Sequence, residues 1–160
     1  MAKSLNNIFL VLVLFTSSVL ANDMIKKNVD IKKNGKPIMI LFESKTCPYC
    51  DLFKKDLIEN KELNTLAKEM DIYSILRDEY QEFKMWGKDT NTRSLEMTFA
   101  IKVTPNIIIF DKKARKIWQV PGYADPSIMI PYIKFVKGLD NGTFKITQWK
   151  KYLQKEGIIK

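Results

Sequence analysis

The sequence predicts a single α/β domain with a central mixed β-sheet flanked by helices. Three observations carry that expectation. Continuous apolar runs of strand length stand at 38–42 and 107–110, and such runs mark strands covered on both faces. Segments of helical periodicity alternate with the strands, in the order strand, helix, strand, helix, strand, hairpin strand, helix. The last two strands, at 107–110 and 117–120, are joined by too few residues for a crossover, so they must pair antiparallel. The 160-residue length fits one such domain.

In chain order, residues 1–21 read as a signal peptide. Lys3 gives a short positive start, 8–15 is apolar, and Val19 and Ala21 occupy the −3 and −1 positions of a cleavage site. The apolar stretch falls short of the ~20 residues of a spanning helix. A buried N-terminal helix and an uncleaved anchor are the alternatives. Cleavage leaves a domain over 22–160 in a periplasmic setting, where disulfides persist. Residues 23–33 fit a short lysine-rich helix stopped by Asn34-Gly35. Pro37 opens the strand 38–42. The helix that follows should turn Leu52, Phe53 and Leu57 inward, and Asp51, Lys54, Lys55 and Asp56 to water. Asn60 is the expected N-cap of a second helix over 61–70, and 72–76 is the next strand.

Residues 78–92 are polar with Trp86-Gly87 in their middle, and read as a loop or partly helical excursion. A helix over 93–101 would use Leu95, Phe99 and Ala100 as its apolar positions. The strand 107–110, a charged turn over 111–116 and an alternating edge strand over 117–120 come next. A helix over 127–137 is closed by Gly138, and Pro131 should kink it or push its start later. Thr147 is the expected cap of a last helix with Trp149, Tyr152 and Leu153 on one face.

Composition narrows the chemistry. The chain has two cysteines and no histidine. A Ser-His-Asp triad, a Cys-His pair and a histidine-ligated metal are therefore excluded. The net charge is +9. It reads as a lysine-rich solvated surface with no run of five, rather than steering toward acidic partners or anionic membranes. Nucleic-acid binding lacks an aromatic-basic motif. Asn141-Gly142-Thr143 matches a glycosylation sequon but reads better as a turn.

The two cysteines, Cys47 and Cys50, fall three apart where the strand 38–42 gives way to a helix. Free N–H groups and the macrodipole at a helix start stabilise a thiolate. A second thiol one turn on reaches the first sulfur and resolves a mixed disulfide. Pro48 suits the first helical position. A structural disulfide, a zinc half-site and two inert buried cysteines compete with this reading. The first closes too small a loop to stabilise much, and the second lacks its other half.

Cys47-Pro48-Tyr49-Cys50 after 38–42, with Val103-Thr104-Pro105 before another apolar strand, resembles the thioredoxin superfamily. The resemblance spans nearly all of 35–144. It implies a thioredoxin-like fold, a redox-active Cys47–Cys50 disulfide, and a cis Pro105 beside the cysteines. Thr104 and Pro105, with Pro48 and Tyr49, would then shape the substrate groove. Leu41-Phe42-Glu43-Ser44 and the segment 121–126 look like Sox-associated periplasmic thioredoxins (SoxW-like). Such proteins exchange disulfides on exported partners. Thioredoxin has a buried aspartate six residues before its first cysteine, and here Leu41 stands there. Glu43 is then the nearest carboxylate upstream and a candidate proton acceptor for Cys50, the alternative being a solvated side chain or one salt-bridged, for example to Lys45. Lys45 is a candidate thiolate stabiliser, or simply an exposed lysine. Cys-Pro-Tyr-Cys also occurs in glutaredoxins, but their Thr-Val-Pro and Gly-Gly are missing here.

The expectation is an exported, monomeric thiol–disulfide oxidoreductase of periplasmic proteins, recharged by a membrane redox donor. It needs no metal or organic cofactor. An isomerase or oxidant activity, and a non-catalytic binding or chaperone module, are the competing readings.

Overall fold

The computed structural model describes residues 24–160, so the expected signal peptide lies outside the described residues. Five strands form the main sheet: β1 (Ile25–Lys27), β2 (Ile38–Glu43), β3 (Asp71–Leu76), β6 (Asn106–Phe110) and β7 (Lys116–Pro121). Their order is β1-β3-β2-β6-β7. β2 lies parallel to β3 and antiparallel to β6, and β6 is antiparallel to β7. The sheet is mixed, as the short connection between the last two strands requires.

β2 is the middle strand, and all six of its residues are buried. Its alternate side chains feed two cores. Met39 and Leu41 pack with Phe53 and Leu57 of α1 (Pro48–Glu59) and with Met129, Ile133 and Val136 of α4 (Pro126–Asp140). Ile38, Ile40 and Phe42 pack on the other face with Tyr73, Ile75, Leu95 and Phe110. Asn60 ends α1 and caps α2 (Lys61–Ala67), its side chain accepting the Leu63 N–H at 2.9 Å. That is the role its sequence position predicts.

Several expectations are corrected. Residues 23–33 are not a helix. Ile25–Lys27 is edge strand β1, parallel to β3, and buried Ile31 bridges Met85. The exposed edge of β3 supplies ladder bonds that a short isolated helix could not match. The excursion 78–92 is a hairpin of β4 (Glu82–Met85) and β5 (Lys88–Asn91). Its turn residues Trp86 and Gly87 have φ of 56° and 82°. Two-residue hairpins favour two left-handed residues. Asn-Gly announces such a turn and Trp-Gly does not. Tertiary contacts hold Trp86 there, with its ring edge-on to Phe110 at 5.3 Å and Lys33 above it at 5.0 Å.

The helix expected at 93–101 is α3 (Thr92–Thr98), capped by Asn91. Ala100 lies beyond it with φ 51° and is exposed, not packed in the core. Leu52 is also exposed, although Phe53 and Leu57 are buried. α4 begins at Pro126, so Pro131 does not delay its start, and it runs past Gly138 to Asp140. The stop is Asn141-Gly142, where Gly142 has φ 83°. Thr147 does not cap the last helix. A 3₁₀ turn, Ile146–Gln148, leads into α5 (Trp149–Lys155). Among the described residues, no helix is long and apolar enough to cross a membrane.

Candidate active site

The site forms where β2 ends, α1 begins and the loop before β6 returns. Cys47 is the N-cap of α1 and Pro48 opens its first turn. The Cys50 backbone N–H donates to Cys47 Sγ at 3.2 Å. A helix-start N–H thus points at the first sulfur, and any negative charge there gains the macrodipole as well. The two sulfurs are bonded to each other at 2.02 Å. Cys47 keeps 6% of its surface exposed and Cys50 1%. The first cysteine is therefore the one an incoming sulfur can reach.

The loop before β6 brings Thr104 and Pro105 to this helix start. The Thr104–Pro105 peptide is cis, as the resemblance implies. Ser44 and Thr104 hydroxyls lie 3.1 Å apart, which ties the segment before the cysteines to the proline loop. Pro105 C=O accepts the Gly122 N–H at 2.8 Å.

Tyr49 is 59% exposed, and its ring stacks on Tyr123 at 6.0 Å. Tyr123 in turn donates its hydroxyl to Asp56 Oδ2 at 2.6 Å. That hydrogen bond, with a smaller contribution from burial, pushes the Tyr123 phenol up to about 12. Tyr123 should therefore titrate well above the ordinary phenol range, and Tyr123→Phe should delete that high-pH step from the ultraviolet phenolate titration. A raised phenol pKa means that the folded state holds its proton when the unfolded state has lost it. The contribution is intact below about pH 10 and disappears as pH rises toward about 12.

Glu43 is buried, and both its oxygens are engaged. Oε2 accepts from Lys54 Nζ at 2.8 Å, and Oε1 accepts the Ser74 hydroxyl. Burial pulls the Lys54 ammonium down, but bonds to Glu43 and Asp51 outweigh it and leave the ammonium above its usual value. The partner of Glu43 is Lys54, not Lys45. Lys54 was expected in water; instead it reaches back along α1 to the carboxylate. It sits four residues after Cys50, on the same side of the helix. Leu41 and Glu43 are two apart on one strand and share its α1-facing side. The carboxylate absent at Leu41 is thus supplied one pleat nearer the cysteines.

Lys45 is engaged by residues of the 78–79 loop. Its ammonium pairs with Glu79 at 3.1 Å, its side chain is 62% exposed, and its N–H donates to Asp78 at 2.5 Å. Sequence reasoning missed Lys54, Ser74 and Tyr123. Spacing along α1 assigns Lys54 to water and carries no sign of Glu43, and the other two are brought in only by strand register and the loop after β7.

A model of the thioredoxin-like domain matches residues 25–137. No curated protein matches the sequence. A solved thioredoxin-fold protein from Helicobacter pylori superposes with a TM-score of 0.72 at 26% identity, over 88% of this chain and 96% of that one. A thioredoxin from Thermus thermophilus superposes with a TM-score of 0.53 at 17% identity, over 68% and 79% of the respective chains. The second likeness is one of fold.

Proposed function

This chain belongs to the thioredoxin-like domain family, and from that premise we propose that it is an exported thiol–disulfide oxidoreductase acting on periplasmic proteins. The observation that carries the proposal is the Cys50 N–H aimed at the Cys47 sulfur at the start of α1. In the reducing direction, the Cys47 thiolate attacks a substrate disulfide. A mixed disulfide forms, and one substrate sulfur leaves as a thiolate and takes a proton. Cys50 loses its proton and attacks Cys47, releasing the second substrate thiol. Two electrons have then moved to the substrate, and the enzyme holds the bonded sulfurs seen here.

Glu43 is the proposed proton acceptor for Cys50, with Lys54 and Ser74 holding its two oxygens. Thr104, Pro105, Pro48 and Tyr49 form the proposed substrate groove. Leu41-Phe42-Glu43-Ser44 supports a finer reading, as a Sox-associated periplasmic thioredoxin recharged by a membrane donor.

The test is turnover on insulin disulfides together with the equilibrium potential. A value near the thioredoxin value of about −270 mV identifies a reductant and one near about −120 mV an oxidant. No turnover in either direction removes the enzyme reading. Glu43→Gln should slow release more than attack, so a mixed disulfide should accumulate although Cys50 is intact. Turnover without that accumulation would remove Glu43 from proton transfer.

A further inference from the structure

The strand pairing sorts the loops into two poles. Asp71, Ile38 and Phe110 lie in one row across the sheet, with Lys116 paired to Phe110. Asp140, at the end of α4, reaches the same row by accepting the Lys112 N–H at 3.1 Å. The loops 34–37, 68–71, 111–116 and 140–145 therefore converge on one pole. Cys47 and Pro105 belong to the other, at the far ends of β2 and β6. Strands of this length put ~16 Å between the two rows, about two Debye lengths at 0.15 M salt.

Charge at the distal pole is one-sided. Every acid in those four loops is engaged within the molecule. Glu69 pairs with Lys137 at 2.7 Å, Asp71 with Lys26 at 2.6 Å, and Asp111 with Arg115 at 2.6 Å, while Asp140 caps the Lys112 N–H. Lys36, Lys68, Lys113 and Lys145 are exposed and have no ion-pair partner among the described residues. Beside Lys145, Ile146 is 47% and Trp149 41% exposed. At the cysteine pole Lys45 is tied to Glu79, and Lys102 alone near Thr104 is exposed without an ion-pair partner among the described residues.

We propose that this distal pole docks on an anionic phospholipid surface, with the Cys47–Cys50 helix start facing away from it. Four free ammonium groups on four separate loops match a plane of diffuse negative charge better than one compact carboxylate cluster. Trp149 and Ile146 are the side-chain types that settle at a headgroup boundary. What sets this pole apart from a merely solvated lysine surface is that the four free ammonium groups sit beside exposed Ile146 and Trp149. The proposal does not depend on the redox reading.

The test is co-sedimentation of the full chain with phosphatidylcholine vesicles, with and without one third phosphatidylglycerol. Binding to the anionic vesicles should be at least about 30-fold tighter and should fall steeply with salt. Reversing Lys36, Lys68, Lys113 and Lys145 to Glu should abolish that difference. Reversing Lys27, Lys61, Lys88 and Lys102 changes the net charge equally and should leave most of it. If the first variant fails to fold by circular dichroism, Gln at the same four positions replaces it. Equal loss in both variants, equal binding to neutral vesicles, or no vesicle binding overturns the proposal. Binding to poly-glutamate without binding to the vesicles would also overturn it, in favour of an acidic protein partner.

Discussion

Cys47→Ser should stop disulfide exchange, lowering insulin reduction on the order of 10³-fold or more, while the melting temperature hardly moves. The serine keeps the N-cap function, since its hydroxyl accepts the same N–H, but it is no nucleophile toward sulfur near neutral pH. Removing the disulfide itself costs little stability, because it closes a loop with a sequence separation of only three. Cys50→Ala should behave differently. Attack by Cys47 survives, resolution does not, and mixed disulfides with substrate proteins accumulate. The pair of variants separates chemistry from folding. If Cys47→Ser retains wild-type turnover, or if Cys50→Ala traps nothing, the assigned roles are wrong.

Gly138→Ala should destabilise the domain, by about 1–3 kcal/mol, although alanine is ordinarily the better helix residue by about 1 kcal/mol. A Cβ at Gly138 meets Phe144 Cε2 at 2.6 Å and Cγ at 3.1 Å, with Cδ2 closer still. The ring cannot swing away freely. It stacks on Phe135 at 5.5 Å and touches Tyr152 at 4.9 Å, and the Phe144 N–H is bound to the Gly138 carbonyl at 2.9 Å. The sign of the effect should therefore depend on Phe144. In a Phe144→Ala background the collision is gone, and Gly138→Ala should become neutral or stabilising. Thermal melts of the two single variants and the double variant read the coupling directly. A destabilisation that persists without the ring would place its cause in the α4 backbone.

The residues that could be read from sequence are those whose partners lie close along the chain. Cys47, Pro48 and Cys50 announce a helix start because cap, first turn and dipole are all local. Asn60 announces α2 for the same reason. The runs 38–42 and 107–110 announce buried strands because strands covered on both faces have few alternatives. What stayed hidden depends on distant partners. β1 is a strand because β3 offers an edge, and Trp86 is a hairpin turn because Phe110 and Lys33 hold its ring. At the site, Glu43 was legible as the nearest carboxylate. Lys54 was not, because amphipathic spacing assigns a lysine to water and registers no buried anion beside it. In sequence Gly138 reads as a stop because glycine is favoured just past a helix end. Here its missing side chain makes room for a ring arriving from the following loop.

The Ser44–Thr104 hydroxyl contact joins positions sixty apart in the chain. The two sulfurs are neighbours in any conformation that closes one helical turn, so a short peptide around them retains thiol chemistry. The groove beside them has no such independence. It exists only after β2 and β6 have paired and the intervening loop of residues has been closed, one of the more entropically demanding contacts in the molecule. Reactivity is thus encoded locally and selectivity globally. Any change that unpairs β2 from β6 would leave the local cysteine geometry in place and remove the Ser44–Thr104 contact beside it.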